Sequence, residues 1–145
     1  MELLTYQTVL AIHIISFVWN IGWVVLSDFS GLLWITGKVK VLNAKFMKIA
    51  HYAVWAGLAS SILSGAYLFI DLADYLLTVP AFYTKMFLVL ALVINSFVIS
   101  KHLHVATTGT FVEVSKEERL KLFISGAVST VSWVGVVVSA HFLGL

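Results

Sequence analysis

Long apolar runs alternate with short polar connections along the chain. The runs cover about residues 4–27, 47–70, 80–101 and 120–143. Each is about 20 residues or longer, the length that an α-helix needs to cross a bilayer. The first run lacks a basic leader and is too long for a signal peptide core, so we expect it to be retained. The pattern predicts an all-α fold, an integral membrane four-helix bundle that forms one domain over residues 1–145.

Two short motifs indicate where helices begin. Pro80 falls in the first turn of the third run, where its missing N–H leaves no hydrogen bond unmade. The segment SKEE, Ser115–Glu118, has the spacing of a capping box. We therefore expect the third helix to start at Pro80 and the fourth to start just before its apolar run.

The composition supports a membrane protein and narrows its chemistry. Hydrophobic residues make up 61% of the chain, charged residues make up 11%, and there is no cysteine. Disulfides, thiolate metal ligands and covalently attached c-type haem are thereby excluded. The sequence has no nucleophilic triad, phosphate-binding glycine loop or zinc motif, and its acidic residues, Asp28 among them, fall near span ends or in connections. Histidine remains as the strong metal ligand.

The basic residues cluster at two of the three connections. Eight of the nine Lys and Arg residues lie in or beside the first and third connections: Lys38, Lys40, Lys45, Lys48, Lys101, Lys116, Arg119 and Lys121. The second connection holds Asp71 and Asp74 and no base. The positive-inside rule then predicts that both termini lie on the outer side. We expect the cytoplasmic membrane of a bacterium or archaeon, with the lipid bilayer as partner and, at a net charge of +2, no nucleic acid.

Polar and small residues recur at helical spacing within each span. The first span carries the stripe His13, Ser16, Asn20, Trp23 and Ser27. The other spans carry Gly57, Ser61 and Gly65; Lys85, Asn95 and His102; and Ser125, Ser129, Ser132 and Ser139. Small residues let helices approach closely, and polar side chains bond across helices rather than to lipid. We predict that the stripes face one another and that the serines and glycines serve packing.

Ionisable residues within the spans need a further reason, because a charged Lys at mid-membrane costs about 3 kcal/mol on insertion scales. At a helical rise of ~1.5 Å per residue, His13 and Lys85 lie at comparable depths. We predict an outer polar group of His13, Lys85 and His141. Deeper in the membrane, Asn20 and Asn95 are expected to pair. Alternatively, Lys85 extends to the outer surface and its water.

Three further histidines lie at the inner ends of the second and third spans. His51 begins one span, whereas His102 and His104 end the next, so antiparallel helices bring them to a similar depth. A haem iron takes neutral imidazoles as axial ligands. We predict a haem b site in which His51 and His102 ligate the iron, while His104 faces solvent or lipid headgroups. The alternative is that all three are interfacial residues without a ligand.

Short motifs on three of the four predicted helices resemble a known group of membrane proteins. On the first helix His13 is followed by Trp19 and Gly22; the third helix opens with FYTKMFLVLALVIN, Phe82–Asn95; and the second ends with SGAY, Ser64–Tyr67. These motifs are similar to those of small four-helix membrane proteins related to the copper-resistance CopD domain and to the HemJ-type protoporphyrinogen oxidases.

The resemblance implies a bundle that holds haem b. His13 and Lys85 match the positions of the family's functional histidine and lysine, which makes them the candidate catalytic residues and His13 a further candidate for cofactor binding. The cofactor-binding candidates His51, His102 and His141 come from the residue pattern alone.

Three functions are consistent with these residues. The first is a haem b protein that passes electrons within the membrane or to a redox partner such as a quinone. The second is a HemJ-like protoporphyrinogen oxidase, in which Lys85 binds or protonates an anionic substrate. The third is a proton- or ion-coupled transporter subunit or an assembly factor, in which His13, Asn20, Lys85 and Asn95 line a path. A homo-oligomer through a lipid-facing surface is compatible with all three.

Overall fold

The computed structural model describes residues 2–142 and the side chains in that range except those of residues 101–106. In chain order the helices are α1 (Leu3–Ile35), α2 (Ala44–Leu76), α3 (Pro80–Thr108) and α4 (Lys116–Phe142), and the described part of the chain contains no strand. All four helices are long and apolar enough to cross a membrane. The predicted all-α four-helix bundle is confirmed.

The helices extend further than the apolar runs. α1 and α2 contain 33 residues each, which is about 50 Å at the usual helical rise, whereas the hydrocarbon core of a bilayer is about 30 Å thick. The first apolar run ends near residue 27, but α1 continues for two more turns to Ile35. Ser27 and Asp28 therefore lie within a helix and not at the edge of a connection.

Local interactions explain where three of the helices begin. The side chain of Asn43 accepts a hydrogen bond from the Phe46 N–H at 3.1 Å and caps α2. Pro80 is the first residue of α3, as predicted. The Ser115 hydroxyl accepts from the Glu118 N–H at 3.2 Å, which confirms the capping serine that precedes α4.

The bundle consists of two helical hairpins. α1 packs along α2 and α3 packs along α4, whereas α2 and α3 touch over a much shorter length. The α1–α2 and α3–α4 connections carry the basic residues, and we call their side of the molecule the basic end. The opposite side, with the α2–α3 connection, is the acidic end. An even number of antiparallel helices places both ends of the described chain at the acidic end.

Aromatic contacts join the two hairpins. The ring centroids of Phe17 in α1 and Trp133 in α4 are 5.4 Å apart, and Trp133 is buried. Towards the acidic end, Phe69 of α2 stacks on Phe82 of α3 with centroids 5.5 Å apart. Contacts of this kind hold the hairpins together without hydrogen bonds, which suits an apolar environment.

Much of the outer surface of the helices is apolar. Val18, Leu63, Phe87 and Val131, one from each helix, are 63%, 72%, 69% and 67% exposed. Soluble monomeric proteins rarely expose contiguous apolar surface on this scale. The structure therefore supports a lipid bilayer as the environment of the bundle.

Candidate functional site

His13 lies on the side of α1 that packs against α2. Its Nδ1 is 3.0 Å from the Ser61 carbonyl oxygen and 2.9 Å from the Ser64 Oγ. A carbonyl oxygen only accepts hydrogen bonds, so neutral His13 carries its proton on Nδ1 and its lone pair on Nε2. Histidines that ligate metals commonly donate their other ring N–H to a carbonyl in this way. The local geometry thus fixes a tautomer that can bind a metal or accept a proton.

Two glycines of α2 make room for the polar side chains of α1. A Cβ at Gly65 would lie 3.1 Å from the Cε1 of His13. A Cβ at Gly57 would overlap the side-chain amide of Asn20. The prediction that the small-residue stripe of the second span faces a polar stripe is confirmed for these two positions.

The two amides do not pair with each other, so that prediction is wrong. Asn20 is fully buried, and in the amide orientation that satisfies both polar atoms it donates to the Val54 carbonyl (3.1 Å) and accepts from the Leu58 N–H (3.0 Å). Asn95 donates to the Ser125 carbonyl (3.0 Å) and accepts from the Ser125 hydroxyl (2.8 Å). Each amide bonds within its own hairpin, because the close approach of the paired helices brings backbone groups within reach.

Serines complete the polar contacts within the hairpins. The hydroxyls of Ser16 in α1 and Ser60 in α2 are 2.7 Å apart. On α4, Ser125, Ser132 and Ser139 are buried. The packing role predicted for the serine stripes matches these positions.

Lys85 lies near His13, in the second turn of α3. Its side chain is partly buried. No carboxylate among the described residues is within 4.0 Å of the Lys85 Nζ. The nearby Ser61 contributes a buried hydroxyl for which the described part of the chain offers no hydrogen-bond partner. We call His13, Ser61 and Lys85 the acidic-end group.

The predicted place of His141 in the group with His13 and Lys85 stays a prediction. The His141 side chain is exposed in the last turn of α4, and its ring centroid is 6.1 Å from that of Phe142. The described residues show no contact between the His141 side chain and another helix that would support its predicted role in cofactor binding.

A cavity of about 620 Å³ lies between the two hairpins, in the half of the bundle nearer the basic end. Ligand pockets usually measure about 300–1,000 Å³ and combine an apolar lining with a few polar groups. All four helices contribute to this lining. The residues that bring polar side chains into it include Asp28, His51, Asn95, Arg119 and Thr130.

His51 lines the cavity from α2. The indole N–H of Trp55, one turn further along the helix, donates to the His51 Nε2 at 3.1 Å. Neutral His51 therefore carries its proton on Nδ1 and its lone pair on Nε2. Among the described residues, no group of three or more His, Asp and Glu side chains is placed to hold a metal ion, so a metal at His51 would need a cofactor that supplies most of the ligands.

The side chains of His102 and His104 lie outside the described residues. The backbone of α3 passes along the cavity, and Ile99, three residues before His102, contributes to its lining. The pairing of His51 with His102 stays a prediction.

His13 and His51 belong to separate sites. His13 bonds to the backbone of Ser61, and Ser61 follows His51 by ten residues in α2, which is about 15 Å along the helix. One metal ion cannot bind both imidazoles. This separation agrees with the sequence pattern, which places His13 in the outer polar group and His51 at the inner end of the second span.

Asp28 is a polar residue of the cavity to which sequence reasoning gave no role. The Thr130 hydroxyl of α4 donates to its Oδ2 at 3.3 Å, a hydrogen bond that links the two hairpins. The apolar run ends one residue before Asp28, so the pattern placed the carboxylate near a connection. The available signal was its neighbour Ser27, which continues the polar stripe of α1.

Comparison of the chain with protein-family models, with curated proteins and with solved structures gives no significant match.

Proposed function

We propose that the protein binds haem b in the cavity and passes electrons within the membrane. The observation that carries this proposal is the cavity, which is large enough for a prosthetic group and has His51 in its lining. Haem b needs no covalent attachment, so it suits a chain without cysteine. When bound, it supplies a one-electron redox centre.

His51 is the proposed axial ligand from α2. Its lone pair is on Nε2, the nitrogen through which an axial histidine ligates iron, and ligation would replace the hydrogen bond from Trp55. The donor set thus fits haem b. We further propose His102 as the second ligand, because α3 lines the cavity one turn before this residue. The apolar residues around the cavity would keep water from a bound haem.

The absorption spectrum of the detergent-purified protein tests the proposal. We expect a Soret band, with sharp α and β bands after reduction, because two imidazoles make the iron low-spin. A colourless preparation from cells that are replete with haem contradicts the proposal.

Histidine variants test the ligands. We expect His51→Ala and His102→Ala each to convert the spectrum to high-spin or to empty the site, because neighbouring apolar side chains offer no replacement ligand. His104→Ala and the exposed His141→Ala serve as matched controls and should keep the wild-type spectrum. Loss of haem in His13→Ala alone, with normal binding in the other variants, would move the haem to the acidic end.

A HemJ-like porphyrinogen oxidase is the second candidate function. Its support is the acidic-end group, in which Lys85 has no carboxylate partner among the described residues and His13 presents a bare Nε2. An ammonium in this position suits an anionic substrate, and a neutral imidazole suits proton transfer from it.

The Lys85→Met variant tests the second function. We expect it to lose oxidase activity while its unfolding resistance stays the same or rises, because the cost of about 3 kcal/mol for a charge in the membrane disappears. Activity is measured as porphyrin fluorescence in membranes, with Lys48→Met at the basic end as the control. Full activity in Lys85→Met would instead indicate that the lysine extends to the outer surface.

The transporter or assembly-factor alternative has less support. Asn20 and Asn95, which would line its path, bond to the neighbouring helix of their own hairpin. Side chains engaged in this way stabilise helix pairs and are poor relays for ions.

We also propose that the basic end faces the cytoplasm of a bacterial or archaeal cell. The distribution of lysine and arginine supports this orientation.

A further inference from the structure

The cavity is closed towards the basic end. Trp34, Leu42, Met47 and Val114 form a buried apolar cluster there, and the rings of Trp34 and Phe111 are 5.3 Å apart. The Trp34 indole also donates to the Gly109 carbonyl at 3.0 Å, which ties the end of α1 to the α3–α4 connection. Apolar and aromatic side chains therefore block access to the cavity for water-soluble molecules at the basic end.

Arg119 strengthens this closure. Its Nε donates to the Phe111 carbonyl (2.9 Å) and its Nη2 to the Val112 carbonyl (2.7 Å), while the guanidinium lies 4.6 Å from the centre of the Phe111 ring. These contacts hold the α3–α4 connection against the bundle. They also engage the guanidinium, so Arg119 is not available to bind an anion in the cavity.

The two lateral sides of the cavity differ. On one side, the ring centroids of Trp55 in α2 and Phe97 in α3 are 4.9 Å apart, and the two rings fill the space between these helices. Between α1 and α4, the lining residues Leu32, Phe123 and Val131 are 55%, 51% and 67% exposed. The surface on this side is the apolar surface that faces lipid. The cavity therefore opens into the bilayer between α1 and α4, and we call this opening the lateral opening.

Asp28 and Thr130 stand at the lateral opening. Both residues are exposed, both line the cavity, and the hydrogen bond between their side chains spans the gap between α1 and α4. Asp28 is the one acidic residue among the lining residues. A molecule that enters from the bilayer therefore contacts the Asp28 carboxylate, a hydrogen-bond acceptor that is surrounded by apolar side chains.

We infer that the lateral opening binds a quinol, and that Asp28 accepts the proton of one quinol hydroxyl. The inference rests on the proposed haem function. A quinol has a lipid-soluble tail, which suits access from the bilayer, and a flat apolar ring, which suits the apolar lining of the cavity. Its hydroxyl groups are hydrogen-bond donors, which suit the Asp28 carboxylate. Asp28 would be a catalytic residue, because it touches the reacting hydroxyl.

The step transfers one electron and one proton. The O–H bond of one quinol hydroxyl would break, with its proton passing to the Asp28 carboxylate and one electron passing to the proposed haem, which would supply a one-electron acceptor. The quinol would be left as its neutral radical. The other titratable groups around the cavity are His51 on α2 and Arg119 on α4, while the described side chains that α3 contributes to the lining are uncharged.

Rapid-mixing spectroscopy of the haem-loaded protein tests the role of Asp28. Decylubiquinol is mixed with the oxidised protein, and the rise of the reduced α band gives the rate. We expect Asp28→Asn to slow this rate at least about tenfold, since a general base contributes ~10²–10⁴ in rate. Dithionite, which needs no proton acceptor, should reduce the variant as fast as the wild type. Asp74→Asn at the acidic end is the matched control and should react normally. An unchanged rate in Asp28→Asn overturns the inference.

A labelling experiment tests the same site without haem. The chain has no cysteine, so Ala127→Cys at the lateral opening and Val134→Cys on the lipid-facing surface of α4 each introduce a single thiol. We expect a quinone with a fully substituted ring to protect Cys at position 127 from a maleimide several-fold more than at position 134. Equal labelling of the two overturns the inference. A colourless protein that still shows protection would contradict the haem proposal and leave the quinone site standing.

Discussion

The role of each polar stripe depends on the hydrogen-bond partners of its individual side chains. The spacing of His13, Ser16 and Asn20 predicts that they share one face, and the structure confirms that all three bond to α2. Their partners include the backbone of α2, and a side-chain pattern carries no information about exposed carbonyl groups. This is why an amide pair was expected and two separate amide sites were found.

Gly57 offers a direct test of this contact. In Gly57→Ala the new Cβ would overlap the Asn20 amide, so we expect a loss of about 1–3 kcal/mol in the free energy of unfolding. The measurement is denaturation by SDS in mixed micelles. Gly22→Ala is the matched control in α1, because a Cβ there meets nothing within 4 Å. Alanine favours helix over glycine, so Gly22→Ala should be neutral or stabilising, and equal losses in both variants would contradict this account.

Helices could be predicted more accurately than their ends and their pairing. Apolar runs of membrane-spanning length gave all four helices, and Pro80 and Ser115 gave two of the starts. The end of α1 was missed because polar residues around Asp28 resemble a connection, although hydrogen bonds and packing carry the helix on to Ile35. The pairing into two hairpins does not follow from the lengths of the connections, because the shortest one, residues 77–79, joins α2 and α3, which touch over a much shorter length than the paired helices. The cavity between the hairpins depends on how they cross, which no local pattern encodes.

The Asn95–Ser125 pair is the polar link between α3 and α4 that can be tested as a unit. A double-mutant cycle of Asn95→Ala and Ser125→Ala should give a coupling energy of about 0.6 kcal/mol, the average for interhelical hydrogen bonds in membranes, and at most about 1.7 kcal/mol. Unfolding in SDS supplies the four free energies. A cycle between Ser96→Ala and Ser125→Ala is the control, because the Ser96 hydroxyl bonds to the Leu92 carbonyl of its own helix. A coupling of zero for the first pair would mean that the bond from the Ser125 hydroxyl to the Asn95 amide oxygen does not stabilise the hairpin.

The arrangement of the bundle gives its two ends different properties. Towards the acidic end, paired helices lie close enough for glycines to contact side chains of the next helix, and His13 and Lys85 are partly buried. Nearer the basic end, the hairpins separate around a cavity whose base is sealed and whose side opens to lipid. A ligand would therefore reach the cavity from within the bilayer. In both the haem and the quinol proposals, the direction in which electrons and protons move across the membrane depends on which end of the bundle faces the cytoplasm.

Orientation can be measured with single cysteines, since the natural chain has none. Val41 in the α1–α2 connection and Leu77 in the α2–α3 connection are 40% and 50% exposed, and neither substitution by Cys changes the charge of its connection. In intact cells, we expect a membrane-impermeant maleimide to label Leu77→Cys and to leave Val41→Cys unlabelled, because basic connections are retained in the cytoplasm. Permeabilised cells, in which both thiols should react, are the control for reactivity. Labelling of Val41→Cys alone would show that the bundle has the opposite orientation. Asp28 would then take up protons in the outer half of the membrane.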